Sequence, residues 1–367
     1  MAERLIENKP IPVTEPSFPP LEEYMEYLKE IWESKQLTNN GSMVQKLEAE
    51  LRKYLGVKHC YYVTNGTLAL QLSIKALNLT GEIITTPFSF VATTSAIIWE
   101  QCTPVFVDID PKTLNINPDL IEEMITEKTE AILVTHVFGN PCDVDRIEEI
   151  ANRYKLKVIY DGAHAFGVEY KGQSLLSFGD ISTVSFHATK LFGTVEGGAV
   201  ITNNDEIAHK IEYLRNFGMS NGEIWGLGIN AKNSELHAAF GLCMLPKVNE
   251  FISNRKIVSQ TYDKLFLIRN IGITKPSLVM NARYNYAYYP IVLSNEKMLS
   301  KVMNDLQTKS IFPKRYFYPS LNTLSYVTYR SKAISEEISK KILCLPLYNN
   351  LTIENAEGIV NNIIESI

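Results

Sequence analysis

Between residues 58 and 202, short β-rich apolar runs alternate with stretches of helical periodicity. The runs are 60–63, 83–85, 105–107, 132–134, 158–160, 184–186 and 199–201. Parallel strands need long crossovers, and helices supply them while covering both faces of the sheet. The alternation therefore predicts an α/β architecture with a mostly parallel central sheet. Two helices lead in: Leu21, Tyr24, Leu28, Ile31 and Trp32 recur at helical spacing, and Met43 to Leu55 repeat the pattern before Gly56. The stretch from Glu235 to Phe266 reads as a mainly helical connector that Pro246 kinks or divides. Beyond about residue 270, the strand-like Tyr284 to Leu293 and helical patterns near 296–308 and 353–366 predict a smaller C-terminal α+β domain. Pro10, Pro12, Pro16, Pro19 and Pro20 make residues 1–20 an extended arm, free to lie across a partner. The implied organisation is the arm 1–20, a large α/β domain 21–245, and a connector helix with the smaller domain over 246–367.

A chain of 367 residues that is 45% apolar can bury a large core. Its 36 basic and 41 acidic residues leave a formal net charge of −5 without long like-charge runs, so nothing marks a surface for nucleic acid or anionic membrane. Small-molecule chemistry is the expectation. Cys60, Cys102, Cys142, Cys243 and Cys344 are scattered, with no close pair for a metal or redox site. No basic segment followed by an apolar one opens the chain, and no apolar run is long enough to span a bilayer. A soluble cytoplasmic protein is expected.

Asp161 ends the apolar run 157–160, which puts its carboxylate at the carboxyl edge of the sheet, where ligands of open α/β sheets bind. A carboxylate there can hold a pyridine nitrogen protonated and turn the ring into an electron sink. Lys190 follows the run 184–186 and returns to the same edge. Its amine attacks an aldehyde only when deprotonated, so a pocket that lowers its pKa would suit imine formation. Taken alone, a lysine is usually a solvated surface group. Thr64, Asn65, Gly66 and Thr67 lie between a strand and a helix, where free amides bind phosphate and Thr67 can add a hydroxyl and cap the helix. An ordinary capped turn reads the same way. Phe90 can stack on a cofactor ring or simply pack in the core, and His164 can cap or fill a satisfied core position.

Several stretches carry a resemblance, in order along the chain: Asn-Gly-Thr-Leu-Ala-Leu (65–70), Thr-Pro-Phe-Ser-Phe-Val-Ala-Thr (86–93), Pro-Val-Phe-Val-Asp-Ile-Asp (104–110), Asp-Gly-Ala-His-Ala-Phe-Gly (161–167) and Ser-Phe-His-Ala-Thr-Lys (185–190). Through them the chain resembles the DegT/StrS-type nucleotide-sugar aminotransferases, which share the fold-type I architecture of aspartate aminotransferase. The resemblance implies pyridoxal 5′-phosphate as cofactor. It makes Lys190 the Schiff-base lysine and Asp161 the partner of the ring nitrogen. Gly66, Thr67 and Ser185 would hold the phosphate, Phe90 would stack on the ring, and His164 would face its phenolic oxygen. Asn230, in Gly-Ile-Asn-Ala-Lys (228–232), would reach the phosphate from a neighbouring subunit, which implies a homodimer. Thr38, Asn40, His187, Lys314, Arg315, Tyr316 and Tyr318 match positions near the sugar nucleotide. The sequence departs from the family at 228–232, where Gly-Tyr-Asn-Tyr-Arg is usual, at Asn65, where serine is common, and at Asn322, where histidine is.

The implied reaction moves an amino group from L-glutamate to a dTDP-linked keto-sugar, with C4 of dTDP-4-keto-6-deoxyglucose first and a C3 position as its rival. The product would enter lipopolysaccharide or other surface-glycan assembly. A related dehydratase branch carries histidine in place of the lysine, so Lys190 points to transamination. A non-catalytic regulatory protein on the same fold is the other class of reading.

Overall fold

A computed structural model describes residues 10–269 and 273–367, so residues 1–9 of the expected arm lie outside the described residues. The seven strands expected between residues 58 and 202 form and join one sheet: β1 (His59–Val63), β2 (Glu82–Thr85), β3 (Thr103–Phe106), β4 (Thr129–Thr135), β5 (Lys157–Asp161), β6 (Ile181–Ser185) and β7 (Gly198–Thr202). Their order across the seven-stranded sheet is β1-β7-β6-β5-β4-β2-β3. Pairing is parallel from β3 through β6, and β7 runs antiparallel to both β6 and β1. The sheet is mostly parallel, as the alternation of runs requires. In β7, Gly198 stands opposite both Val63 and Ser185, so the carboxyl ends of β1 and β6 lie level at one edge. Asp161 ends β5 beside them, paired with Thr183.

Both faces of the sheet are covered. One buries Ile132, Val134 and Val184 against Leu47, Leu51 and Ile147, and the other buries Ile83, Leu133 and Ile159 against Leu70, Ile74 and Ile97. Each such side chain contributes about 1.5–3 kcal/mol by leaving water. The lead-in helices are α1 (Leu21–Ser34) and α2 (Ser42–Leu55), and α2 stops at Gly56, whose φ of 63° is open to glycine without a Cβ clash. A buried ion pair joins Glu48 of α2 to Arg215. Glu48 Oε1 accepts from the Tyr62 amide at 2.8 Å, and Arg215 Nη1 donates to the Tyr62 carbonyl at 3.0 Å. The pair thus clamps the end of β1.

Pro246 divides the connector as expected, sitting in a short 3-10 turn between the helices Glu235–Met244 and Val248–Arg269. A separate apolar cluster that includes Tyr262, Ile291, Leu306, Leu343 and Ile363 gathers around the antiparallel strands Tyr289–Val292 and Ile342–Leu345. The helices Glu296–Thr308 and Ile353–Ser366 fall where their periodicity puts them. One expectation needs correction. The strand-like stretch 284–293 is strand only over Tyr289–Val292, because Asn285 takes over the backbone before it. Its amide donates to the carbonyls of His164 and Phe166 at 2.8 and 2.9 Å, its Oδ1 accepts from the Ala287 amide at 3.0 Å, and Tyr286 takes a φ of 51°. The described part of the arm lies on its own chain: Ile11 pairs with Ile311, and the buried Val13 accepts from the Leu347 amide at 3.0 Å.

Replacing one member of the Glu48–Arg215 pair leaves a buried charge without its counterion. Glu48→Ala should therefore cost about 3–5 kcal/mol of stability in urea unfolding. A loss under about 1 kcal/mol would mean that the clamp on β1 contributes little.

Candidate active site

The carboxyl ends of β1, β5 and β6 open onto a cavity of about 310 Å³. At one end lies the turn into helix α3 (Gly66–Ala76). Asn65 rather than Thr67 caps this helix, its Oδ1 accepting from the Leu68 amide at 2.9 Å. The exposed Thr67 hydroxyl is thereby left for a ligand. The first-turn amides at Gly66 and Thr67 have no carbonyl within the helix to receive them, so this end of the cavity attracts an anion. Glycine is demanded here by crowding: a Cβ on Gly66 would stand 3.0 Å from the Ser185 Cβ, and one on Gly198 would stand 2.6 Å from the Asn65 carbonyl carbon.

Asp161 is buried at the centre of the edge. Its Oδ2 accepts from Thr93 Oγ1 at 2.7 Å and Thr135 Oγ1 at 3.5 Å, and its Oδ1 accepts from the Ala163 amide at 3.0 Å. Ser89 Oγ joins both threonines, at 2.8 Å from Thr93 and 2.7 Å from Thr135. A network of hydroxyls therefore fixes the direction of the carboxylate, which lines the cavity. His164 lines it too, and its Nδ1 accepts from the Phe138 amide at 3.2 Å. That bond leaves Nε2 as the protonated nitrogen of a neutral ring. Burial, reinforced by Lys190, lowers the His164 pKa well below the usual histidine value, so the ring stays neutral.

Lys190 opens into the same cavity from the loop after β6. Burial of its amine lowers the pKa from 10.5 to about 8, while the charge of Asp161 acts in the opposite sense. Its Nζ donates to the Tyr288 hydroxyl at 3.3 Å. At the rim stand Phe90, which is 56% exposed, and His187, whose Nδ1 lies 2.8 Å from Thr189 Oγ1 and whose Nε2 lies 3.7 Å from Glu196. Ser185 and Tyr316 also line the cavity.

Other candidates lie elsewhere. Thr38 and Asn40 are exposed in the turn after α1, and Lys314 is exposed where its backbone bridges to Cys344. Arg315 donates to Glu296 and to the Ser339 carbonyl, both at 3.1 Å, and its guanidinium lies 3.4 Å from the centroid of the Tyr318 ring. None of these residues lines the cavity, and neither does Asn230, which is exposed and accepts from Lys232 at 2.9 Å. Sequence reasoning does not single out Thr93, Thr135, Tyr288 or Phe317, although the structure puts Thr93 on Asp161 and the other three in the cavity wall. The run 86–93 contains Thr93, but a hydroxyl aimed at a distant carboxylate leaves no local pattern.

An anion site, a buried carboxylate and a lysine of lowered pKa around one cavity fit a phosphorylated pyridine aldehyde. The model of the DegT/DnrJ/EryC1/StrS aminotransferase family matches residues 21–364. The chain is 46% identical over 366 residues to a Shigella dysenteriae protein named dTDP-4-amino-4,6-dideoxy-D-glucose transaminase, covering 98% of this chain and 99% of that one. Among solved structures it is similar to DesI, described in the presence of its TDP-sugar product, with 30% identity and a TM-score of 0.92 over 97% of this chain and 92% of that one. It is also similar to NtdA from Bacillus subtilis with bound cofactor PMP, with 28% identity and a TM-score of 0.87 over 94% of this chain and 81% of that one.

Since the amine must be neutral to attack an aldehyde, uptake of pyridoxal phosphate by cofactor-free protein should rise with pH through a midpoint of about 8. Absorbance of the bound chromophore follows it, and a midpoint at the ordinary lysine value would contradict this site. Gly66→Ala, which pushes the turn off Ser185, should weaken uptake about tenfold or more.

Proposed function

Because the chain belongs to the DegT/DnrJ/EryC1/StrS aminotransferase family, we propose that it is a pyridoxal-phosphate-dependent transaminase carrying an amino group from L-glutamate to C4 of dTDP-4-keto-6-deoxyglucose. The observation that carries this reading is the shared cavity of Lys190 and Asp161, with the first turn of α3 at its end. The Shigella relative supports the choice of a dTDP carrier and of C4 over C3.

When bound, pyridoxal phosphate supplies an aldehyde for the amine and a ring that stores the electron pair left when a C–H bond breaks. The amides of Gly66 and Thr67 and the hydroxyl of Ser185 would hold its phosphate, and Phe90 would cover its ring. Asp161, held by Thr93 and Thr135, keeps a proton on the pyridine nitrogen. Neutral His164 would face the phenolic oxygen. Lys190 takes a proton from the α-carbon of glutamate and, in the second half of the cycle, delivers one to the sugar carbon. Its lowered pKa leaves a useful fraction of free amine near neutral pH.

His187 and Tyr316, at the rim, contact the sugar nucleotide in this reading. Thr38, Asn40, Lys314, Arg315 and Tyr318 do so only where the nucleotide extends past the cavity. Exposed Phe217, Ile224, Trp225, Leu227 and Ile229 gather beside Asn230, and an apolar group of this kind supports burial against a second copy. Asn230 then reaches the neighbouring phosphate in a homodimer. The working divisions are the arm 1–20, the cofactor-binding domain 21–245 and the connector with smaller domain 246–367. Among the described residues no helix is long and apolar enough to cross a membrane. We place the enzyme in the cytoplasm, feeding surface-glycan assembly such as O-antigen.

Incubating the protein with pyridoxal phosphate, L-glutamate and dTDP-4-keto-6-deoxyglucose should give a 4-amino-4,6-dideoxyhexose by NMR. An amine at C3 from the 3-keto isomer, with none at C4, would overturn the regiochemistry. Asn230→Ala should lower cofactor affinity while leaving the oligomer seen by light scattering intact.

A further inference from the structure

The Lys190 amine has one polar side-chain contact of hydrogen-bond length on the far wall of the cavity, the Tyr288 hydroxyl at 3.3 Å. Lys190 follows the main sheet, while Tyr288 immediately precedes the strand Tyr289–Val292 and packs on a further apolar cluster that joins Phe88 and Phe138 to Phe317 and Cys344. The ring of Tyr288 is held closely. Its centroid lies 4.6 Å from that of His164, 5.5 Å from that of Tyr316 in an edge contact, and 5.9 Å from that of Phe138. Its backbone is held as well. Asn285 ties the preceding residues to the carbonyls of His164 and Phe166, in the segment that follows Asp161. On the other side, fully buried Arg255 donates to the Ala287 carbonyl at 3.1 Å and to Asn349 Oδ1 at 3.0 Å, and Asn349 donates to Ser17 Oγ of the arm at 2.5 Å.

These contacts fix both the ring of Tyr288 and the backbone that leads into it. We propose that Tyr288 is a positioning residue for Lys190: its hydroxyl receives the amine whenever the amine is not bonded to carbon and holds it at the cavity wall, ready to move a proton. The inference rests on the transaminase reading, in which the lysine is released when glutamate enters and is re-engaged only when the cycle closes. A flexible four-carbon side chain let go into a cavity samples many rotamers, and one fixed acceptor removes that search. The hydroxyl stays protonated, because burial raises the Tyr288 pKa, with Cys344 raising it further and Arg255 opposing. It can therefore accept from the ammonium or donate to the neutral amine. The other titratable groups around the amine are Asp161 and His164, with His187, Glu196 and Tyr316 in the same cavity wall.

Tyr288→Phe keeps the ring and its contacts and removes only the oxygen, so its melting temperature should stay within a few degrees of wild type. Two readouts test the role. The first is pyridoxal phosphate uptake by cofactor-free protein from about pH 6 to about pH 10. Without the oxygen that accepts from the ammonium, desolvation acts with less opposition, and the midpoint should move to lower pH. The second is exchange of the glutamate α-proton in D2O by NMR, which should slow about five- to tenfold with the glutamate KM unchanged. A wild-type midpoint and exchange rate in the variant would overturn the role of Tyr288 and leave the transaminase reading standing. Slower exchange with an unmoved midpoint and a lowered melting temperature would assign Tyr288 to packing and also overturn it. Failure of both proteins to take up pyridoxal phosphate would remove the transaminase reading and this inference with it.

Discussion

The site depends on the register of one antiparallel strand. By pairing Gly198 with Val63 on one side and Ser185 on the other, β7 brings the turn of residues 64–67 level with the segment that ends in Lys190. A shift by one residue would reverse which side chains face each side of the sheet and separate the two segments. The closeness also explains the glycines, because Gly66 and Gly198 stand where a Cβ would strike Ser185 or the Asn65 backbone. The Glu48–Arg215 pair acts on the same place from behind by holding both backbone groups of Tyr62.

Around that edge the chemistry follows from what is withdrawn from water. The Lys190 amine loses solvation and becomes a weaker base, His164 stays neutral, and the Asp161 carboxylate is fixed by hydroxyls and an amide. Each group is prepared for one part of a transamination by its surroundings. Most of those surroundings come from the main sheet. Tyr288 comes from the turn just before the strand Tyr289–Val292, and through Asn285, Arg255 and Asn349 its position is connected to the segment after Asp161 and to the N-terminal arm.

Much of this was legible in the chain. The strands of the main sheet, the divided connector and the helices Glu296–Thr308 and Ile353–Ser366 follow from periodicity and proline, because burial on both faces makes parallel strands continuously apolar. Asp161 and Gly66 are legible as candidates because they lie at the ends of readable strands, while Lys190 draws its candidacy from the segment 185–190 and the resemblance it carries. Thr93, Thr135 and Tyr288 are not legible in this way, since their importance lies in which distant residue they meet. The irregular stretch 284–288 was misread as strand for a related reason: the side-chain bonds of Asn285 outcompete a local pattern of aromatic residues. A proline-rich segment shows that the arm is extended without showing what it lies on. Asn230, Thr38, Asn40, Lys314, Arg315 and Tyr318 stand outside the cavity of one chain, and their proposed roles rest on the family resemblance.

The central claim is that one lysine, among the 36 lysines and arginines of this chain, bonds the cofactor. Borohydride reduction of the protein loaded with pyridoxal phosphate fixes that bond permanently, and peptide mass spectrometry then locates it. The label should lie on the peptide that contains Lys190, at about one per chain, and vanish when L-glutamate is added before the reductant. A label spread over surface lysines, or one on Lys190 that glutamate does not remove, would contradict the account.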